Sequence, residues 1–100
     1  DALYSPTDNM IAAGMATVAQ VTTPAKLPVF CGEEGMVNQG GLATYGLNYY
    51  ELGKQTAAMA VRILKGEAKP ADMPIEYLES CDLYVNEETE KAIGVTVPRN

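Results

Sequence analysis

The chain of 100 residues contains no histidine and no tryptophan. The missing histidine removes the commonest general base and the commonest transition-metal ligand. No G-x-S-x-G elbow surrounds Ser5 or Ser80, and glycines 32, 35, 40, 41 and 46 spell neither G-x-G-x-x-G nor a phosphate-binding loop. Nucleotide chemistry and acyl transfer are disfavoured on that ground. Positive charge is scarce: 7 Lys and Arg stand against 13 Asp and Glu, for a net charge of −6. Lys26, Lys54, Arg62, Lys65, Lys69, Lys91 and Arg99 form no patch in the sequence, which argues against a nucleic-acid partner. No apolar run approaches the roughly 18–20 residues of a membrane span. No signal-peptide pattern opens the chain; Ala2-Leu3-Tyr4 reads directly as strand, and a piece of a longer protein is expected. Cys31 and Cys81 are too few and too far apart for a zinc site or a CxxC redox motif. Two readings stand for them: buried small hydrophobes, or a disulfide between neighbouring strand ends in an extracytoplasmic protein.

What is present is an apolar content of 47% with 20% charged residues, enough for one small globular unit. An extended run enters an acidic corner at Asp1–Asn9 (DALYSPTDN), followed by a helix of small residues over about Met10–Gln20. A second apolar run, Leu27 to Phe30 or Cys31, enters another acidic corner at Glu33-Glu34. Strand, polar tip, helix, strand, polar tip is the pattern of a parallel sheet in an α/β fold. A Gly-rich stretch over 32–41 and a third strand at Leu42–Leu47 follow. Asn48 with Glu51 forms an N-x-x-E cap for a long helix, about Tyr49–Lys65, ended by Gly66 and barred from continuing by Pro70 and Pro74. Ile75–Leu78 and Leu83–Val85 read as short extended pieces. Asn86 caps a last helix, with Glu87 and Glu88 in its first turn, and Gly94 closes it.

Ligands of open parallel sheets gather beyond the carboxyl ends of the strands, where Thr7, Asp8, Asn9, Glu33 and Glu34 all fall. Each acidic residue also has a plain structural reading. Asp8 is a natural N-cap, and Glu33-Glu34 are natural solvated turn residues. Tyr45, Tyr49 and Tyr50 follow the third strand and read either as packing or as surfaces for stacking on a ligand.

The succession DALYSPTDN, PVFCGEEGMVNQGGLATYGLNYYELGKQTAAMAVRILKG, KPADMP and DLYVNEETEKAIGVTVP resembles the last third of ABC-transporter substrate-binding proteins of the tryptophan/tyrosine type. Tyr49-Tyr50-Glu51-Leu52-Gly53 with Ile63-Leu64-Lys65-Gly66 is the most specific part. The resemblance implies a type I periplasmic-binding fold: two Rossmann-like, three-layer α/β lobes of parallel sheet, of which this chain carries an incomplete one. It implies capture of a small molecule, an amino acid and often an aromatic one, for delivery to an ABC permease, with no enzymatic step and no cofactor. It implies an extracytoplasmic protein, periplasmic or a cell-surface lipoprotein. Thr7, Asp8 and Asn9 fall on its first ligand-facing corner, Glu33 falls where the family more often has Asp, with Glu34 beside it, and Asn48 is the polar residue on the crossover between lobes. On this plan residues 1–39 and 75–100 belong to the carboxy-terminal lobe. Residues 40–74 form a crossover strand and helix that pack on an absent amino-terminal lobe. The isolated chain would bury the Leu52/Met59/Ile63 stripe by moving the helix or by forming a homodimer through exchange of the segment after Gly40. Two rivals share parts of this plan. The effector core of a lac-repressor-type regulator has the same lobe, and a flavodoxin- or receiver-like signalling domain would use Asp8 as phosphoacceptor. The second lacks the expected lysine at a strand end.

Overall fold

The computed structural model describes residues 1–99 and divides into two compact units, Asp1–Gly46 with Asp82–Arg99, and Leu47–Cys81. In the first, β1 (Leu3–Ser5), β2 (Val29–Cys31), β3 (Ala43–Gly46) and β4 (Asp82–Val85) form one sheet in that order. β1 runs parallel to β2 and β2 to β3, while β4 returns antiparallel to β3. Ala43–Gly46 is hydrogen-bonded into the sheet on both sides, so the first unit keeps β3 and the second begins at Leu47.

The crossover from β1 to β2 is expected as one helix and is two: α1 (Asn9–Ala13) and α2 (Met15–Thr22). Gly14 lies between them at φ −104°, ψ 15°, its N–H donating to the carbonyls of Met10 and Ile11. Glycine's backbone freedom makes a break at this position cheap. The Gly-rich stretch after β2, in which no element is expected from the sequence, contains a short helix, α3 (Glu34–Asn38). Its Met36 and Val37 join Met15, Val29 and Cys31 in a core on one face of the sheet, with Met15 and Met36 fully buried. Gly40, at φ +124°, then meets Ala19 of α2 so closely that a Cβ there would collide with it. After β4, α5 (Glu87–Ile93) covers part of the opposite face, with Ile93 against Leu42, Ala43, Val85 and Val97. Asn86 anchors that turn twice, accepting from Thr89 N at 3.1 Å and donating to the Val37 carbonyl at 2.9 Å.

The second unit is the long helix α4 (Tyr49–Leu64), a 3₁₀ turn at Pro70–Asp72 and extended chain to Cys81. Ile75–Leu78, expected as a short extended piece, has no ladder partner in the sheet. Gln55 ties it to the helix, donating to Glu76 Oε1 at 2.9 Å and to the Tyr77 carbonyl at 3.4 Å. No residue of this unit is buried: Leu52 and Met59 are half-buried, Ile63 is 38% exposed and Leu64 85%.

Candidate functional site

The carboxyl ends of β1 and β2 are locked side by side, Ser5 pairing with Cys31 in register. Beyond that pair the chains come closer still. A Cβ placed on Gly32 would collide with Thr7 Oγ1 and stand 2.5 Å from the Thr7 backbone nitrogen. Only glycine lets the two corners touch in this way, and the touch brings Thr7-Asp8-Asn9 and Glu33-Glu34 to one rim of the sheet.

Asp8 leaves β1 in an extended conformation, φ −147°, and its Oδ1 accepts from Met10 N at 2.8 Å and Ile11 N at 3.1 Å. The side chain is exposed, and Oδ2 has no partner among the described residues. Glu33 makes the same turn one strand over, at φ −157°. Its longer side chain folds back so that Oε2 accepts from Gly35 N at 2.7 Å and Oε1 from Met36 N at 2.8 Å. Glycine at 35 leaves room for the fold-back, since a Cβ there would stand 2.9 Å from Glu33 Oε2 and push that carboxylate aside. Both corners therefore use their carboxylates as N-caps, with Asp8 spending one oxygen and Glu33 both. Glu34 is exposed in the first turn of α3. Its charge is felt at Tyr84, whose phenol is raised by desolvation first, then by the Glu34 and Asp82 carboxylates. Asn9, the first residue of α1, is exposed. Asn48 opens the second unit as the cap of α4, its Oδ1 accepting from Glu51 N at 3.2 Å as the N-x-x-E spacing predicts.

Beneath the rim, Ser5 Oγ is buried with no hydrogen-bond partner among the described residues. Cys31 is a free thiol; burial, with a lesser contribution from the Glu33 charge, pushes its pKa up to about 11. Cys81 is also free, and exposed rather than buried. Of the two readings open at the sequence level, the thiol form is the one found. No group of three or more Cys, Asp or Glu side chains among the described residues could hold a metal ion, and no helix is long and apolar enough to cross a membrane.

One feature went unseen in the sequence. An open hollow of about 440 Å³ lies on the sheet face away from α2 and α3, lined by Tyr4, Phe30, Tyr45 and Leu83 among others. Tyr4 is 67% exposed and Phe30 42%. Val29-Phe30-Cys31 reads as a continuous apolar run, so nothing in the residue pattern marks its middle member as uncovered.

The family model for ABC transporter substrate binding proteins matches residues 1–100. The tyrosine-binding protein of Clostridioides difficile (strain R20291) is 38% identical over 95 residues, which are 95% of this chain and 27% of that protein. A ligand-free, open substrate-binding protein with adhesive properties from Clostridium difficile superposes with a TM-score of 0.77 at 43% identity, over 99% of this chain and 33% of that one. An ABC domain in complex with L-Trp from Streptococcus pneumonia gives a TM-score of 0.85 at 37% identity, over 98% and 33%. The chain thus spans about a third of the length of these relatives. A family match over every residue, together with that sheet and its capped rim, has one reading: the chain belongs to the ABC transporter substrate-binding proteins.

Proposed function

We propose that this chain supplies one wall of a small-molecule site in a solute-binding protein, and that the ligand is an aromatic amino acid delivered to an ABC permease. The observation that carries the reading is the rim itself, where Thr7 and Gly32 press together and bring Asp8 and Glu33 to adjacent strand ends. Asp8, with Oδ2 uncommitted, receives the ligand's ammonium group, flanked by Thr7 and Asn9. Glu33 shapes the neighbouring corner through its cap and Glu34 supplies the charge there. The named ligands of two relatives, tyrosine and L-Trp, support the substrate class.

The role is binding without turnover, in an extracytoplasmic protein held at the cell surface as a lipoprotein. In the longer protein the Leu52/Met59/Ile63 stripe of α4 packs on a second lobe, in keeping with a unit that has no buried residue of its own. The isolated chain would cover the stripe by pairing with a second copy through exchange of the segment after Gly40.

Calorimetry with L-tyrosine and L-tryptophan on the longer protein tests the reading. Asp8→Ala should weaken binding by about 1–3 kcal/mol, the usual cost of leaving a buried polar partner unmatched. Folding should lose only a cap, about 1 kcal/mol. Unchanged affinity in the variant removes Asp8 from the site, and heatless titrations of the unsubstituted protein with both amino acids remove the substrate class.

A further inference from the structure

Charge is distributed unevenly along the edge that carries Asp8 and Glu33. β4 starts on that edge, since Asp82 is the register partner of Gly46 at the end of β3. Carboxylates therefore stand beyond β1 (Asp8), beyond β2 (Glu33 and Glu34) and at the first residue of β4 (Asp82). The cations of the first unit are Lys26, Lys91 and Arg99, and all of them are placed elsewhere. Lys26 lies in the turn that leads into β2, at the opposite end of the sheet. Arg99 bonds both carboxylate oxygens of Glu90; that pair comes first in holding the Glu90 carboxyl down, and the Lys91 charge adds to it. Both cations belong to α5 and its tail, on the other face.

Two side chains beneath the rim register the resulting field. Tyr84 donates to Asp82 Oδ2 at 3.4 Å, and its phenol is raised by desolvation first and then by the Glu34 and Asp82 charges. Cys31 is raised by burial first and then by Glu33. No positive charge offsets either. An α-amino acid meets this field with two opposite charges, its nitrogen and carboxyl carbon only about 2.5 Å apart. Whichever end faces the rim, the other is close behind, so the field sorts the two orientations.

We infer that the ligand rests on this wall by its ammonium group alone, with its carboxylate turned away from the sheet edge, and that Glu34 is the positioning charge that fixes this orientation. The inference rests on the reading of the rim as an amino-acid site. Glu34 is singled out by what the other carboxylates already do. Asp8 makes the contact itself, Glu33 spends both oxygens on the cap of α3, and Asp82 accepts from Tyr84. Glu34 is exposed in the first turn of α3 and caps nothing. Among the described residues the rim offers a carboxylate no cation, so the partner of the ligand's carboxylate lies outside this unit. The class of group read at this wall is accordingly a primary amine, and the α-carboxyl group is read elsewhere.

The test is calorimetry at low salt on the longer protein, with whichever of L-tyrosine and L-tryptophan it binds and with the matching amine, tyramine or tryptamine, which has no carboxylate. Glu34→Lys should weaken the amino acid about 2- to 10-fold and the amine by a larger factor, because the amine has no carboxylate to offset the new repulsion. Glu34→Gln should move both in the same direction by less, and it carries the test if the lysine variant does not fold. Glu88→Lys, an exposed charge reversal in the first turn of α5, is the matched control and should leave both affinities within about 1.5-fold. Melting temperatures of all three variants should stay within about 2 °C of the unsubstituted protein, as surface changes do. An amino acid bound as tightly or more tightly by Glu34→Lys while the amine weakens turns the carboxylate toward this wall and overturns the inference. Indifference of both ligands to Glu34→Lys and Glu34→Gln overturns it too, with the amino-acid site left standing. An unsubstituted protein that gives no heat with either amino acid overturns the site reading and this inference together.

Discussion

Replacing Gly32 by alanine adds one methyl group at the tightest point of the rim. Rotation of the Thr7 side chain can move Oγ1 away, but the Thr7 nitrogen, 2.5 Å from the new Cβ, and its Cα at 3.1 Å are backbone. Relief requires the whole β1–α1 corner to shift, and Asp8 with it. Overpacking of this kind costs about 1–3 kcal/mol, and in a domain of this size each kcal/mol moves the melting temperature by about 4–8 °C. The expected fall is therefore about 4 to 24 °C by thermal circular dichroism, with amide shifts concentrated at Thr7–Ile11 in the NMR spectrum. Gly32 does not sit at a positive φ, so the effect is steric and owes nothing to backbone strain. Gly53→Ala is the matched control. It makes the same chemical change inside α4, where a Cβ meets nothing within 4 Å, and should stabilise by about 0.5–1 kcal/mol. A Gly32→Ala protein that melts at or above the unsubstituted temperature would refute the contact on which the rim is built.

Two further outcomes follow from the same coordinates. At pH 8 an alkylating reagent should label exposed Cys81 within minutes and leave Cys31 unmodified until the chain unfolds, because burial holds the Cys31 thiol protonated with a pKa of about 11; quantitative mass spectrometry of the two peptides checks it. Glu90 accepts from Arg99, at 3.0 Å to each carboxylate oxygen, and from Val97 N at 2.7 Å. These bonds, Arg99 first, hold its carboxyl below the ordinary range. The clip is accordingly at full strength above the ordinary glutamate pKa and is lost as pH falls through the lower folded value, so the Val97 amide should lose protection there and Glu90→Gln should weaken it at neutral pH.

Local chemistry was legible in the sequence wherever one residue's neighbours decide its conformation. Asn48 and Asn86 each cap the helix that begins one residue later, and Gly94 closes α5 at φ +77°, as their types and spacings indicate. Asp8 and Glu33 were legible as polar tips of adjacent strands sharing one rim; the Thr7–Gly32 touch that sets how close they lie was not, because it is a contact between distant parts of the chain. α3 was hidden by its own composition. Gly35 and the 40–41 pair look like loop, yet Glu33 supplies a cap from both carboxylate oxygens and the buried Met36 and Val37 hold the turn against the sheet. The break at Gly14 was not legible, since its neighbours Ala12, Ala13, Met15 and Ala16 are good helix formers and suggest one continuous helix. The exposure of Phe30 could not be read at all, because it reflects which elements stand opposite.

The antiparallel return of β4 has a consequence for how this architecture can vary. Gly46 and Asp82 are register partners, so the chain leaves the sheet at Leu47 and re-enters beside its own exit after Cys81. Everything between is an excursion whose two ends are fixed by neighbouring rungs of one ladder. Closing such a loop depends only logarithmically on its length, each doubling costing about 0.6 kcal/mol. The excursion can therefore be shortened, lengthened or replaced with little effect on the sheet and its rim. On this loop-closure argument a change of that cassette, and with it of whatever the long helix engages, leaves the capped corners at Asp8 and Glu33 where they are.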